Sequence, residues 1–340
     1  MVFLFHVGFV PAQWNTERIL TIGRNALYFE DYVLSIQYFN QVIKIKPYLA
    51  EPYMYRCIAK IQLGDYEGAE LDGNEAIERN PFLPQAFYAR GFTRMKLEKY
   101  EGAVQDFTKA LEFSPNNQYL LLSRMYAYEK LENYEAAMND IDTYMKMNPR
   151  NTLLWYDKGR LYLSTQDTIA AENAFNQLIQ ADSSSFVGWS ARGLLKLQRK
   201  DYDGAYEDYS MAIKLQSDFY GDYINRGIIN VEQNRYMEAL ADYDRAVQLS
   251  PGNLSAYLNR AILRSNLGDN NNALDDFEIV LDMDSTIMEA RYSKALLEMK
   301  LNNYQEAIAD YQIIIDKHPY FLPAYWGVAE AYGALNNMRE

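Results

Sequence analysis

Residues whose side chains could carry out catalysis are few in this chain, and their surroundings predict no reaction. The two histidines are His6, inside an apolar segment, and His318, directly before a proline, and neither has a Ser, Cys or metal-ligand pattern beside it. The single cysteine, Cys57, occupies a position that holds small residues elsewhere in the chain, which favours a packing role over a nucleophile. We therefore predict no catalytic residues and no enzyme activity.

Metal and cofactor sites find no support in the sequence either. The acidic clusters at 269–272 and 275–276 lack the spacing and the glycine of an EF-hand calcium loop. One cysteine excludes a disulfide framework and a cysteine-based zinc site. The chain has no glycine-rich phosphate loop. We predict no metal and no cofactor.

Composition indicates a folded protein whose partner is not a nucleic acid. Of the 340 residues, 49% are hydrophobic, and no long polar tract interrupts them, so the whole length is expected to fold. The net charge of -13 argues against binding to a phosphate backbone, which draws on an excess of Lys and Arg. The 30 tyrosines suit a large buried or groove-lining aromatic surface.

The amino-terminal residues 1–15 form a separate segment. The apolar run MVFLFHVGFV is too short to span a bilayer, and Val10-Pro11-Ala12 places small residues as at a signal cleavage site, although a basic region before the run is missing. This pattern favours a signal-peptide remnant and export to the periplasm or envelope. The alternatives are an apolar strip packed on the first helix and a cytoplasmic protein.

The rest of the chain follows a period of 34 residues. Phe87–Pro115 and Tyr223–Pro251 show it: both have Arg-Gly near the start, a Tyr, alanines, an Asp-aromatic pair and a closing Pro. Nine full repeats and a terminal half-repeat at Leu322 occupy residues 16–335, followed by a tail at 336–340. The full repeats start at Thr16, Ala50, Pro84, Gln118, Thr152, Phe186, Tyr220, Leu254 and Met288.

The residue types that recur at fixed positions of the repeat predict two helices that cross closely. Position 8 is mostly Gly or Ala and position 20 is Ala in eight repeats, while positions 17 and 24 are mostly aromatic. A proline near position 32 stops the second helix. Since a lone helix pair would leave half its apolar surface in water, the repeats must stack.

This spacing resembles the tetratricopeptide repeat, with small residues at positions 8 and 20, Tyr at 17 and Pro at 32. The resemblance covers residues 16–335 and implies an all-α fold, a right-handed α-solenoid superhelix of antiparallel helix pairs with an inner groove. Repeats 4 and 5 depart from the pattern through Met125, Tyr144, Thr168 and Ser183, which predicts locally altered packing there.

A charged pair also recurs, with Arg or Lys at position 7 and Asp at position 23. In an antiparallel helix pair these positions lie at similar heights. We predict a ladder of ion pairs that joins helix to helix, rather than a row of ligand-binding arginines.

The resemblance implies that positions 2, 5, 9, 12 and 13 of each first helix face the groove. In repeats 3 to 5 these positions hold the predicted partner-binding residues, although packing against the neighbouring repeat is the alternative for any one of them: Tyr88, Phe92, Met95, Tyr119, Leu122, Tyr126, Tyr156 and Arg160. An apolar, tyrosine-rich groove suits an extended peptide or a helix. The Lys and Asn clamp for carboxylate tails found in some family members is missing, since repeat 1 has Leu20 and Arg24.

The half-repeat suggests a second interface, because Tyr325, Trp326 and Tyr332 make it apolar on more than one side. A partner or a second copy is expected to cover it. The sequence thus predicts a non-enzymatic scaffold that binds a protein or peptide. The alternative is a regulatory or assembly subunit of an envelope-associated complex or enzyme, with the chemistry supplied by a partner.

Overall fold

Helices account for all regular structure in the computed structural model, which describes residues 16–337, with side chains as far as Leu335. The predicted signal-peptide segment, residues 1–15, lies outside the described residues. Between residues 16 and 337 there is no β-strand, which confirms the all-α prediction. The chain divides into two compact units, with the boundary between Asp167 and Thr168.

Consecutive helices pair within each unit, as the repeat predicts. The N-terminal unit contains α1 Thr16–Tyr28, α2 Tyr32–Ile45, α3 Glu51–Gln62, α4 Tyr66–Arg79, α5 Pro84–Lys96, α6 Tyr100–Phe113, α7 Gln118–Lys130, α8 Tyr134–Met147 and α9 Leu154–Ser164. The C-terminal unit contains α10 Thr168–Ala181, α11 Phe186–Gln198, α12 Tyr202–Leu215, α13 Tyr220–Glu232, α14 Tyr236–Leu249, α15 Leu254–Leu267, α16 Asn270–Met283, α17 Met288–Lys300, α18 Tyr304–Lys317 and α19 Leu322–Asn337. Odd-numbered helices are therefore the first helices of the repeats.

The turn between the two helices has the same backbone conformation in every full repeat. Its position 15 is left-handed in all nine full repeats, with φ between 56° and 85°, and only Gly64 and Gly268 are glycines there. In repeats 1, 2, 4 and 6 the side chain of the next residue caps the second helix: for example, Asp65 and Asp201 accept hydrogen bonds from the backbone N–H three residues later at 3.0 and 3.1 Å. The left-handed residue reverses the chain and the cap starts the second helix.

Close crossing of the two helices explains the small residues at position 8. A Cβ atom on Gly91 would lie 2.8 Å from Cε1 of Phe107, and one on Gly227 would lie 2.5 Å from Cε1 of Tyr243. In repeat 4 the bulkier Met125 is buried in the core of the N-terminal unit instead. Small side chains at position 8 thus make room for the aromatic ring at position 24.

The predicted ion-pair ladder is confirmed. In repeats 2, 3, 4, 6, 7 and 8 the position-7 arginine donates Nε and Nη2 to both carboxylate oxygens of the buried position-23 aspartate, at 2.5–3.0 Å; the pairs are Arg56–Asp72, Arg90–Asp106, Arg124–Asp140, Arg192–Asp208, Arg226–Asp242 and Arg260–Asp276. In repeat 9, Lys294 Nζ donates to Asp310 at 2.9 Å. Repeat 5 has Ala174 in the aspartate column, and its Lys158 binds Asp142 of repeat 4 at 2.7 Å.

Two further contacts extend this ladder beyond the predicted pair. The third guanidinium nitrogen, Nη1, reaches position 25 of the preceding repeat, as between Arg90 and Asn74 at 2.9 Å. In repeats 2, 3, 6, 7 and 8 position 11 adds a second donor to the same aspartate, as with Lys60 on Asp72 at 2.9 Å and Asn230 on Asp242 at 2.9 Å. Each buried aspartate therefore joins two helices, and its arginine ties that pair to the repeat before it.

Candidate functional site

The predicted groove residues of the N-terminal unit lie on α5, α7 and α9 and differ in exposure. Tyr88, Tyr119 and Tyr126 are exposed, with 77% of Tyr119 accessible to solvent. Tyr156 and Arg160 are half-buried. Phe92, Met95 and Leu122 are also half-buried and pack against core clusters, so these three contribute to the stability of the stack as well as to its surface.

Tyr88 and Tyr119 meet at a pocket between neighbouring repeats. The pocket has a volume of about 220 Å³ and is lined by Pro84, Gln85, Tyr88, Ser114, Asn117, Tyr119 and Leu120. None of these residues is charged, and most of the lining is apolar. The volume is below the roughly 300–1,000 Å³ of sites for drug-sized ligands, so it suits a single large uncharged side chain.

Tyr126 and Arg160 meet in a second, charged part of the same unit. Arg160 pairs with Glu129 through Nη2, and its Nη1 lies 3.6 Å from Asp157 Oδ1. Sequence reasoning named Arg160 but missed both of its acidic partners. The signal was present, because a cation among apolar groove residues requires a counter-charge nearby.

The electrostatics of this cluster follow from burial. The pKa of the Asp157 carboxyl is raised by burial, and Glu129 adds to the shift while Arg160 opposes it. Burial also raises the pKa of the Tyr126 hydroxyl, with a further contribution from Asp157. Arg160 is held as a cation by Glu129 and Asp157 even though burial works against its charge. Arg160 thus serves two acidic partners at once.

Position 9 of the first helices is aliphatic in repeats 6 to 9 of the C-terminal unit. Position 9, which holds Phe92, Tyr126 and Arg160 in the N-terminal unit, here holds Leu194, Ile228, Ile262 and Leu296. Leu194 and Leu296 are exposed. A pocket of about 220 Å³ lies between Ile262 and Leu296, with Lys300 at its edge. Position 9 of this unit therefore lacks aromatic residues, although Tyr292 occupies position 5 of repeat 9.

Of the residues first considered for catalysis, Cys57 and His318 have packing or surface positions, and His6 lies outside the described residues. Cys57 is fully buried with its Sγ 3.8 Å from Thr93 Oγ1, and burial raises the pKa of its thiol to about 12, which makes it unreactive. His318 follows the end of α18 and is exposed. Within residues 16–337 no group of three His, Cys, Asp or Glu side chains is arranged to hold a metal ion, and no helix is long and apolar enough to cross a membrane.

The predicted C-terminal interface lies on α19. This helix packs against α18 and α17, with Gly327 against the ring of Tyr311. Its other face exposes Tyr325, Trp326 and Tyr332, and Trp326 is 76% accessible. Tyr325 donates its hydroxyl to the Pro319 carbonyl at 3.0 Å, which holds that ring in place.

Comparisons with known proteins agree with this architecture. Family models described as tetratricopeptide repeat match residues 84–117, 122–186, 156–218, 190–254 and 258–320. No curated protein matches the chain. Among solved structures, a tetratricopeptide repeat protein from Parabacteroides merdae is 21% identical, with 73% of this chain and 98% of that chain covered at a TM-score of 0.54. The C-terminal part of a repeat-containing protein from Cytophaga hutchinsonii is 17% identical, with 71% and 99% covered at a TM-score of 0.56.

Proposed function

Because the chain belongs to the tetratricopeptide repeat family, we propose that it is a non-enzymatic scaffold that binds an apolar segment of a partner protein in its groove. The observation that carries this proposal is the uncharged pocket between Tyr88 and Tyr119. Exposed aromatic rings around a concave, uncharged surface gain free energy when a partner side chain removes them from water. Tyr126 on α7 and Tyr156 on α9 are further predicted groove residues of the same unit.

The pocket defines the kind of side chain that anchors the partner. Its lining offers ring faces from two tyrosines and apolar surface from Pro84 and Leu120, with a few polar groups at the rim. An aromatic or large aliphatic side chain fills this space without leaving a buried charge unpaired. The partner segment therefore presents at least one such residue.

A peptide selection tests this proposal and requires no identified partner. A random peptide library is selected on the wild-type protein, and the binding of an enriched peptide is measured by fluorescence anisotropy. We expect enriched peptides to carry an aromatic or large aliphatic residue, and Tyr88→Ala with Tyr119→Ala to weaken binding at least tenfold. Tyr48→Ala, a change at an exposed tyrosine outside the pocket, is the control. Peptides that bind the double variant and the wild type equally would refute the proposal.

Helix α19 supports a second binding role. We propose that its exposed aromatic face joins the protein to a second copy or to the complex it helps to assemble, which is the regulatory or assembly alternative. Trp326 and Tyr332 supply the apolar area that such a contact buries. Analytical ultracentrifugation of the wild type and Trp326→Ser tests self-association. A wild type that stays monomeric at tens of micromolar excludes the second copy.

A further inference from the structure

In the C-terminal unit, two positions of the repeat each hold one exceptional residue. The two exceptions lie in neighbouring repeats. In repeats 2 to 10, position 3 holds Pro, Ala, Leu or Gly, except in repeat 7, which has Asp222. Position 5 holds a large apolar residue in every repeat except repeat 6, which has Ser190. Asp222 lies in the first turn of α13 and Ser190 lies on α11.

The two exceptions contact each other. The Ser190 hydroxyl donates a hydrogen bond to Asp222 Oδ1, across the contact between α11 and α13. Asp222 is 0% exposed, and its second oxygen, Oδ2, has no hydrogen-bond partner among the described residues. A buried carboxylate with one hydroxyl donor is poorly stabilised, because several donors or a cation are needed to replace its water shell.

The charged and titratable groups around Asp222 do not supply that stabilisation. From α13, Arg226 attracts the carboxylate at a distance but donates its own N–H groups to Asp242 on α14 and to Ser210 on α12. From α12, Asp208 is held by Arg192 and Lys196 of α11, and Tyr209 is a buried neutral phenol next to Asn225. Burial therefore raises the pKa of Asp222 to about 6, against the opposing effects of Ser190 and Arg226.

We propose that Asp222 and Ser190 form a proton-responsive joint between repeats 6 and 7, closed when the carboxyl is neutral and loosened when it is ionised. The direction follows from linkage. The group binds its proton more tightly in the folded state than in the unfolded state, so stability is gained as pH falls from about 6 toward 3.8 and is lost as pH rises through 6. Ser190 is half-buried, whereas Asp222 and Ile224 are buried, so the joint lies in the packing between the two repeats. The inference stands independently of the groove's partner.

The size of the effect follows from the two pKa values. With a pKa of about 6 in the folded state and 3.8 for the ordinary side chain, the unfolding equilibrium constant of this unit is expected to be roughly tenfold lower at pH 5 than at pH 7.5.

Carboxyl carbon NMR of the protein labelled with [4-13C]aspartate measures the site directly. The Asp222 signal, assigned by its loss in Asp222→Asn, is expected to titrate near pH 6, with the exposed Asp218 as the reference. Ser190→Ala removes the hydroxyl that donates to Asp222, so it should move the midpoint further upward. A wild-type midpoint within half a unit of that of Asp218 overturns the proposal.

Hydrogen exchange then tests the joint itself. Amides of α11 and α13, corrected for intrinsic exchange rates, should be about tenfold better protected at pH 5 than at pH 7.5 in the wild type. In Asp222→Asn the protection should stay high at both pH values, whereas Asp218→Asn should behave like the wild type. If Asp222→Asn retains the wild-type pH dependence, ionisation of Asp222 does not control the joint and the proposal fails.

Discussion

Arg226 donates Nε and Nη2 to the two carboxylate oxygens of Asp242, at 3.0 and 2.6 Å, across the two helices of repeat 7. Its Nη1 donates to Ser210 of repeat 6 at 3.3 Å, and Asn230 donates to Asp242 at 2.9 Å. This one aspartate therefore accepts hydrogen bonds from two residues of α13 while belonging to α14. Because Asp242 is buried, removing one partner of this network would leave a charge without compensation, which costs far more than breaking a surface ion pair.

Removal of this carboxylate is expected to be costly. Asp242→Ala leaves the half-buried guanidinium of Arg226 without its partner, so we expect a loss of about 3–5 kcal/mol in the free energy of unfolding. Glu238→Ala, four residues earlier on the exposed side of α14, is expected to change it by less than about 0.5 kcal/mol. Urea unfolding followed by circular dichroism compares the two variants. Equal midpoints would show that the ladder does not stabilise the fold.

Gly227 is expected to resist substitution, because the ring of Tyr243 lies directly over it. Gly227→Ala should destabilise the protein by about 1–3 kcal/mol, because its methyl group would lie 2.5 Å from the ring of Tyr243. Gly333→Ala is the matched control on α19, since nothing lies within 4 Å of the added methyl group. There the better helix propensity of Ala should add up to about 1 kcal/mol. Thermal melts of both variants measure whether the two substitutions change stability in opposite directions.

The left-handed turn residues offer a stabilising substitution. Glu98 has a φ of 58°, which costs a residue with a side chain about 1–2 kcal/mol, and glycine loses part of this advantage through its flexibility when unfolded. Glu98→Gly is therefore expected to raise the free energy of unfolding by about 0.5–1 kcal/mol. Glu98→Ala, which keeps a Cβ, should bring no such gain. If both variants have the same urea midpoint, backbone conformation is not the cause.

The single cysteine reports on the packing of repeats 2 and 3. Burial raises the pKa of the Cys57 thiol to about 12, so at pH 8 almost none of it is thiolate in the folded protein. We expect Ellman's reagent to leave the native protein unmodified during the first minutes and to release one thiol equivalent in guanidinium chloride. Fast modification of the native protein would indicate that this position opens to solvent.

Sequence patterns located the helices because every repeat supplies the same residues at the same spacing. Gly91, Ala103 and Phe107 could be assigned to one crossing without coordinates, since only small residues allow two helices to approach that closely. The recurring Arg at position 7 and Asp at position 23 likewise predicted that these two side chains contact each other. Position 11 was missed because its residue type varies among repeats, and the Lys, Arg and Asn found there share only the ability to donate to the aspartate.

The groove prediction was less complete for a different reason. Met95 and Leu122 have the position and the apolar character of partner-binding residues, yet both pack against the core, because their exposure depends on the neighbouring repeat. Arg160 could be named from its position, whereas its pairing with Glu129 depends on two helices that bring together residues 31 apart in the chain. Whether the groove residues bind a partner stays a prediction.

The amino-acid sequence by itself determined the period, the helix pairs, the close crossings and the charged ladder, since each depends on residues that recur within one repeat length. Only the tertiary structure decided which tyrosines remain exposed, that Tyr88 and Tyr119 enclose a pocket, and that Ser190 faces Asp222. These outcomes depend on how the side chains of one repeat fill the space left by the next. A buried carboxyl takes its properties from the neighbours that packing brings to it, and residues 32 apart become neighbours only when the repeats stack.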